Sequence, residues 1–293
     1  MDGLFFELPT GLRINGEVHK EVELLKTNGV AEKIFLKRIP DKPFTWQGNI
    51  AAAAIRRIGN IEVGAEVRRK YLQDNAVTIP SAILNLPLAE INTILVEVHR
   101  RVWVSFFPKQ EIICKYCGKK LLADIDLDKI DYTPEAKELM ETLVDYEHII
   151  VDLKDGFTPM PIPKITDKPE NAGITDTCFN RFVFRVPLLK DAIRFERNFS
   201  DSIGFWRRIA LECLESIQLI ENDEVIGVLP SEFHTYYGIK IFDNILSGKD
   251  LRTIRNSLME YLPTLPYAYY EPCGCDRQEE IPMVMEASNF FSE

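Results

Sequence analysis

Hydrophobic and polar residues follow two different periods along the first third of the chain. Runs of strand-forming residues at 4–8 and 18–25 flank Asn15-Gly16, a dipeptide typical of a two-residue hairpin turn. After a loop at 41–46, apolar residues recur every three or four positions, which predicts three helices. These helices carry Ile50, Ala54, Ile55 and Ile58, then Val63, Val67 and Tyr71, then Ile91, Leu95, Val98 and Val102. We therefore expect an N-terminal α+β domain at 1–108.

The following segment, 109–165, has the pattern of the first half of a zinc ribbon. A short apolar run leads into the motif Cys114-Lys115-Tyr116-Cys117, and an alternating run leads out of it. Gly118 follows the second cysteine, as expected for a tight turn between two strands. In the same segment we expect an acidic helix near 134–143 and a hairpin whose strands, 148–153 and 157–160, flank Lys154-Asp155-Gly156.

The second half of the sequence changes from loop to helix and then back to strand. Residues 166–186 are rich in Asp, Pro, Asn and Thr, which predicts a loop. Residues 187–264 predict a helical block, and residues 265–293 return to strand-like sequence. The predicted fold class is α+β, with the helical block inserted between two halves of a discontinuous zinc-ribbon-like β module. The expected helices of the block are 188–199, 202–219, 231–245 and 250–261.

Composition and charge exclude some classes of protein. The chain has 293 residues, 46% of them hydrophobic, so it can bury a sizeable core without depending on a metal alone. Its formal net charge of −10 argues against binding of nucleic acid through a broad basic surface. We expect no signal peptide, because an acidic residue comes early and no basic segment precedes the first apolar run. No apolar run approaches the roughly 20 residues that span a bilayer, so no membrane partner is expected.

Two pairs of cysteines are the strongest chemical signal. Cys114 and Cys117 form a CxxC motif, and Cys273 and Cys275 form the only other close pair. Structural zinc takes four ligands in a tetrahedron, so we predict that the two pairs share one structural Zn²⁺. A redox role is the competing interpretation, but it requires a helix that begins just after the first cysteine. Here Gly-Lys-Lys and an alternating run follow the motif, which makes the redox role the weaker interpretation. If one of the second pair does not ligate, a histidine could take its place, and His148 is the first histidine that follows the CxxC motif.

Catalytic signatures are missing from the sequence. It contains no HExxH, GxSxG, GxxxxGKS/T or GxGxxG motif. The run with Asp124, Asp126 and Asp128 is more typical of a solvated strand edge than of a metal cluster. The four histidines are scattered, so we expect surface or core roles for them and no enzymatic activity. They are His19, His99, His148 and His234.

Several motifs, taken in order, resemble a known family. They are Phe6-Glu7-Leu8-Pro9, Gly16 to Leu24, Ile58 to Glu62, the CxxC motif followed by Ala123 to Leu127, Val151 to Gly156, and a second cysteine pair before Asn289-Phe290-Phe291. In this order they resemble the baseplate hub and tail-assembly proteins of T-even-type contractile phages and contractile injection systems. The family resemblance implies zinc ligation by Cys114, Cys117, Cys273 and Cys275. The resemblance does not indicate which residues of this chain bind a partner.

The family resemblance also implies a role without catalysis. Members help to build the central hub of the baseplate, so the expected partners are other hub, tube or tape-measure proteins. The expected locations are the host cytoplasm during assembly and the tail baseplate of the particle. The alternative is a zinc-ribbon regulator that binds nucleic acid through a local basic patch. Its candidate residues are Arg100-Arg101, Lys119-Lys120 and Arg207-Arg208.

Overall fold

A computed structural model describes most of the chain and confirms the α+β class, because helices and antiparallel sheets both occur in it. No described helix is long and apolar enough to cross a bilayer. The chain divides into two compact units: unit 1 (Met1–Asp145, Leu188–Ile193 and Pro263–Glu293) and unit 2 (Tyr146–Pro187 and Arg194–Leu262). The described residues are 4–103, 106–114, 116–129, 131–132, 148–198, 202–261, 267–272, 275 and 280–285.

The secondary structure alternates between helices and strands along the described chain. The α-helices are α1 (Gly29–Leu36), α2 (Pro43–Ala54), α3 (Gly64–Asp74), α4 (Ser81–Leu84), α5 (Leu88–Val98), α6 (Pro163–Thr166), α7 (Leu189–Phe195), α8 (Ser202–Cys213), α9 (Ser231–Tyr237) and α10 (Gly248–Tyr261). The strands are β1 (Phe5–Ile14), β2 (Glu17–Leu24), β3 (Ile55–Ile58), β4 (Ile61–Glu62), β5 (Phe106–Ile113), β6 (Lys120–Asp126), β7 (Asp131–Tyr132), β8 (His148–Phe157), β9 (Phe179–Arg185), β10 (Leu214–Glu221), β11 (Glu224–Val228), β12 (Tyr267–Pro272) and β13 (Glu280–Met285).

Unit 1 begins with the predicted hairpin. Ile14 of β1 pairs with Glu17 of β2, and the two residues between them have positive φ, 52° for Asn15 and 83° for Gly16. This is the turn chemistry that a tight hairpin needs, because its backbone twist matches that of the flanking strands. The hairpin continues into a four-stranded antiparallel sheet in the order β1-β2-β3-β4. The prediction from the Asn-Gly dipeptide is therefore confirmed.

Helix α5 forms the centre of unit 1, with all eleven of its residues buried. One of them is Glu90, whose Oε1 accepts hydrogen bonds from the hydroxyl and N–H of Thr10 and, at 3.0 Å, from the N–H of Gly11. These two donors lie where the β1–β2 register shifts, between Glu7 and Leu12. Burial raises the pKa of the Glu90 carboxyl, against the lowering effect of the Thr10 and Gly11 hydrogen bonds. The carboxyl thus joins the helix to an irregular point of the strand.

The helix predicted around Ile50 has different limits from those expected. It begins earlier, at Pro43, where a proline is favoured because its missing N–H needs no partner in the first turn. It ends at Ala54, because the next four residues pair with β2 as strand β3. The loop predicted at 41–46 is therefore confirmed only for Asp41 and Lys42, and the extension of the helix to Ile58 is wrong. Helices α3 and α5 confirm the other two predictions, although Val102 lies in a π-helical turn after α5.

Unit 2 is built on a four-stranded antiparallel sheet in the order β11-β10-β9-β8. Helix α10 packs against β8, and α8 packs against both α10 and β9. Aromatic residues dominate the core, each of them almost completely buried, and such rings bring a large apolar area out of water. They are Phe157, Phe182, Phe184, Phe205, Phe233 and Phe242.

Two predictions in unit 2 are corrected by the pairing of its strands. The helix expected at 202–219 ends at Cys213, because the residues after it pair with β9 on one side and β11 on the other. Asn222 and Asp223, expected to break a helix, form the two-residue turn between β10 and β11, with φ of 52° and 65°. The predicted helical block at 187–264 therefore contains a β-hairpin.

Strands β8 and β9 also differ from expectation. The predicted turn at Lys154-Asp155-Gly156 lies inside the continuous strand β8, where the register to β9 shifts between Asp152 and Phe157. Gly156 has φ of +67° and so produces an irregularity in the strand, not a hairpin. The loop predicted at 166–186 ends in β9, an inner strand of the sheet.

The remaining helix predictions are partly confirmed. Helix α7 and a 3₁₀ turn (Glu196–Asn198) replace the helix expected at 188–199, and α10 fits the one expected at 250–261. The helix expected at 231–245 stops at Tyr237, before Gly238 with φ of +52°, and a π-helical turn follows. The acidic helix expected at 134–143 lies outside the described residues. The division into a ribbon module and an inserted helical block stays a prediction.

Candidate metal centre

The CxxC motif lies in the turn between two paired strands, as predicted. Strands β5 and β6 are antiparallel, and their last pair before the turn joins Ile113 to Lys120. The N–H of Cys114 donates to the carbonyl of Lys119 at 2.9 Å. The N–H of Gly118 donates to the carbonyl of Cys114 at 2.8 Å. These two bonds close the turn and hold its two cysteines on a defined backbone.

Glycine is needed after the second cysteine for a conformational reason. Gly118 has φ of +69°, a region that residues with a Cβ rarely adopt. A Cβ placed there would meet no atom within 4 Å, so space is not the constraint. The backbone therefore reverses at Gly118 and returns the chain to β6 beside the two thiols.

Three thiols converge at this turn. The sulfur atoms of Cys114, Cys117 and Cys275 all lie within 4.8 Å of one another. Thiolates around one tetrahedral Zn²⁺, with Zn–S bonds of about 2.3 Å, are about 3.8 Å apart, so three donors at this spacing fit a common metal ion. Cys114 is buried, Cys117 is exposed and Cys275 is intermediate. The three cysteines can therefore hold a metal ion.

The third cysteine belongs to a distant part of the sequence, and strand pairing accounts for that connection. Strands β12 and β13 are antiparallel, with Pro272 paired to Glu280, and Cys275 lies between them. Strand β12 also pairs with β7, where Tyr267 faces Tyr132. The pairing of β7 with β12 was not predicted, because β7 has only two residues and no local pattern. The fourth predicted ligand, Cys273, lies outside the described residues.

Other candidate ligands have different surroundings. Cys213 is buried at the end of α8, and Cys178 is exposed with its Sγ 3.4 Å from the carbonyl of Asp155. His148 Nδ1 lies 2.6 Å from a carboxylate oxygen of Glu215. Asp126 accepts a hydrogen bond of 3.0 Å from the N–H of Asp128, which follows it in a 3₁₀ turn. In the described part of the chain, the three-cysteine cluster is the group whose spacing suits a metal.

The basic residues considered for nucleic-acid binding are partly occupied by carboxylates. Arg100 lies 3.1 Å from Asp128, and Arg101 contacts Glu97. Arg207 lies 2.6 Å from Asp243. Each ion pair partly neutralises a charge that phosphate binding would need.

Comparison of the chain with protein-family models, with curated proteins and with solved structures found no match. The resemblance to contractile-tail proteins therefore stays a prediction.

Proposed function

We propose that the chain is a structural or assembly protein of a contractile-tail baseplate hub, and that a structural Zn²⁺ stabilises its unit 1. The observation that carries the zinc part is the convergence of three thiols from two distant segments. The tail role is supported by the ordered motifs of the family resemblance. In this function the protein acts by contacts with hub, tube or tape-measure proteins and catalyses no reaction.

Zinc is the metal that this donor set favours. Thiolates are soft ligands, and a cysteine-rich tetrahedral site in a folded protein typically selects zinc over magnesium or calcium. In our proposal Cys273 supplies the fourth thiolate. A site with four protein ligands leaves no position open for water or substrate, so its role is to cross-link β5–β6 to the segment that carries Cys275.

Metal analysis tests the zinc part directly. The full chain, purified under reducing conditions without added chelator, should contain one zinc per chain by inductively coupled plasma mass spectrometry. Cys117→Ser should remove most of the zinc, because it deletes a ligand. Cys178→Ser is a matched control, since both cysteines are exposed but only Cys117 lies in the cluster. Equal zinc in both variants, or none in the wild type, would contradict the proposal, whereas loss of zinc in Cys273→Ser would identify the fourth ligand.

The tail role needs a separate experiment. The chain should be co-expressed in turn with the hub, tube and tape-measure proteins encoded beside it, and the mixtures separated by size-exclusion chromatography. We expect co-elution with at least one of them. Genes for tail components in the neighbourhood would support the role, whereas their absence together with no co-elution would argue against it. Because neither measurement depends on zinc, the two parts of the proposal can fail separately.

A further inference from the structure

Unit 2 contains a groove between α8 and α10, with a cavity volume of about 270 Å³. We call it the α8–α10 groove. Most of its lining is hydrophobic, and four of the lining side chains are at most 2% exposed. The apolar lining residues are Trp206, Ala210, Phe242, Leu251, Ile254 and Leu258.

The sequence of α10 explains the shape of one wall. Leu251, Ile254 and Leu258 recur at intervals of three and four, so they form one apolar stripe on the helix. The stripe extends over about two turns, or about 10 Å. Ile254 and Leu258 are buried, while Leu251 keeps part of its surface exposed to solvent. Leu251 is therefore the member of this wall that an apolar side chain of a second helix can contact from solvent.

Three arginines also line the groove. Arg207 is held by Asp243, with 2.6 Å between the guanidinium nitrogen and the carboxylate oxygen. Arg252 and Arg255 are exposed, and within the described chain neither forms a hydrogen bond or an ion pair. They lie one turn apart on α10, beside the apolar stripe. In a chain with a net charge of −10, two such guanidiniums next to an apolar groove form a local positive site.

We propose that the α8–α10 groove binds an acidic amphipathic helix of a partner protein. The partner helix inserts a bulky apolar side chain between Trp206 and Leu251, and its carboxylates pair with Arg252 and Arg255. The volume suits one or two large side chains of a peptide, and it lies below the range usual for a complete small-molecule site. The apolar walls favour such a peptide over nucleic acid, whose phosphates would find charge but no stacking surface of matching length.

The biological meaning of this inference rests on the proposed assembly function, because it names the chemistry of one partner. The test of the inference is independent of that function, because the groove belongs to unit 2 and all three clustered cysteines belong to unit 1. A protein without zinc, or without tail partners, can still bind the peptide, and a protein with both can fail to bind it.

The test uses the full chain and a fluorescein-labelled helical peptide of about twelve residues, or three turns. The peptide carries Leu or Phe at every third or fourth position and Glu at most others. A matched peptide carries Lys in place of Glu. Fluorescence anisotropy at low salt should show saturable binding of the acidic peptide and at least about tenfold weaker binding of the basic one. Equal binding of both peptides, or binding of neither, would overturn the proposal.

Charge reversal locates the binding site. The double variant Arg252→Glu/Arg255→Glu should weaken binding of the acidic peptide by at least about tenfold and strengthen binding of the basic peptide. The control Lys164→Glu/Lys249→Glu reverses two exposed charges in the same unit that do not line the groove, and it should leave the affinity within about twofold. Equal losses in both variants would overturn the proposal. Dodecanoate and a DNA oligonucleotide are tested as competitors of the acidic peptide. Tighter binding of either competitor at this groove would also overturn the proposal.

Discussion

Unit 1 gathers segments from distant parts of the sequence around a cysteine cluster, whereas unit 2 packs an aromatic core against one sheet. In unit 1, the strands beside the cysteines form separate small sheets, and β7 and β12 pair over only two residues, Asp131 and Tyr132 of β7. In unit 2, all four strands form one sheet in which each strand pairs with a neighbour over four or more residues, and buried phenylalanines fill the core. The strands beside the cysteines should therefore depend on a metal for their stability, and unit 2 should depend on buried apolar area.

Removal of the metal should give the largest difference between the units. A chelator under reducing conditions should remove a cross-link that closes a loop of more than half the chain, worth about 3–5 kcal/mol by analogy with a disulfide. Hydrogen exchange followed by mass spectrometry should show faster exchange in β5, β6, β12 and β13, while β9 and β10 stay protected. Equal acceleration in both units would show that they unfold together and that the contrast is wrong.

Substitution at the buried cysteines sharpens the same contrast. Cys114→Ser and Cys213→Ser both place a hydroxyl at a buried position, but only Cys114 belongs to the cluster. The first variant should lose zinc and become insensitive to chelator. The second should keep zinc and the chelator response of unit 1. Loss of zinc from Cys213→Ser would show that the metal depends on the fold of unit 2.

A core deletion in unit 2 should give an effect of similar size that is independent of metal. Phe182 is fully buried, and Phe182→Ala should lower the free energy of unfolding by about 3–5 kcal/mol, because it removes apolar contacts and leaves a cavity. Tyr236→Ala is the control, since Tyr236 is 66% exposed and should contribute less than about 1 kcal/mol. Urea denaturation with and without chelator measures both. If the chelator changed the loss of unfolding free energy caused by Phe182→Ala, the two units would not be independent in stability.

The buried carboxyl of unit 1 should make its stability depend on pH. The pKa of Glu90 is raised by burial, so the folded state holds this proton more tightly than the unfolded state does. The stability it contributes is complete below the pKa of an unfolded Glu, near 4.5, and is lost as pH rises through the folded pKa. The greatest slope for one proton is about 1.4 kcal/mol per pH unit.

Glu90→Gln tests this effect because its amide stays neutral at every pH. The carbonyl of Gln can accept the hydrogen bonds from Thr10 and Gly11 that the carboxylate oxygen accepts now. Denaturation curves between pH 4.5 and 7 should show a flatter pH dependence for the variant than for the wild type. Parallel curves would mean that Glu90 ionises in the folded state as easily as in the unfolded one.

A surface ion pair of unit 2 should have the smallest effect. Arg181 lies 2.5 Å from Asp152, and its hydrogen bond is the main cause that lowers the pKa of this carboxyl. The contribution is present above the pKa of an unfolded Asp and is lost as pH falls through the lowered folded value. Because the Asp152 side chain is 62% exposed, Asp152→Asn should change the free energy of unfolding by less than about 1 kcal/mol. Thermal melts at low and high salt measure this change in the free energy of unfolding. A larger change would show that the ion pair contributes as much to stability as a buried core residue.

Turns that depend on adjacent residues could be predicted from the sequence, whereas strand pairing between distant segments could not. The Asn15-Gly16 turn and the CxxC turn depend on a few adjacent residues, and both were predicted. The helix predicted through Ile217 failed because apolar residues four apart fit a helix, while the strand is selected by pairing with β9. The strand β9 was hidden by the turn-forming residues that precede it. At the candidate metal centre, Cys275 lies beside the CxxC turn, and among the described residues the pairing of β7 with β12 ties its segment to the chain that follows β6.

The separation of the clustered cysteines has a consequence for synthesis on the ribosome. The two thiols of the CxxC turn leave the ribosome well before Cys275, by on the order of ten to thirty seconds at usual elongation rates. During that interval the nascent β5–β6 hairpin has only half of a tetrahedral ligand set, whereas all of unit 2 is translated before Cys275. Unit 2 can therefore fold first, and the candidate metal centre would close as a later step that waits for the segment that carries Cys275.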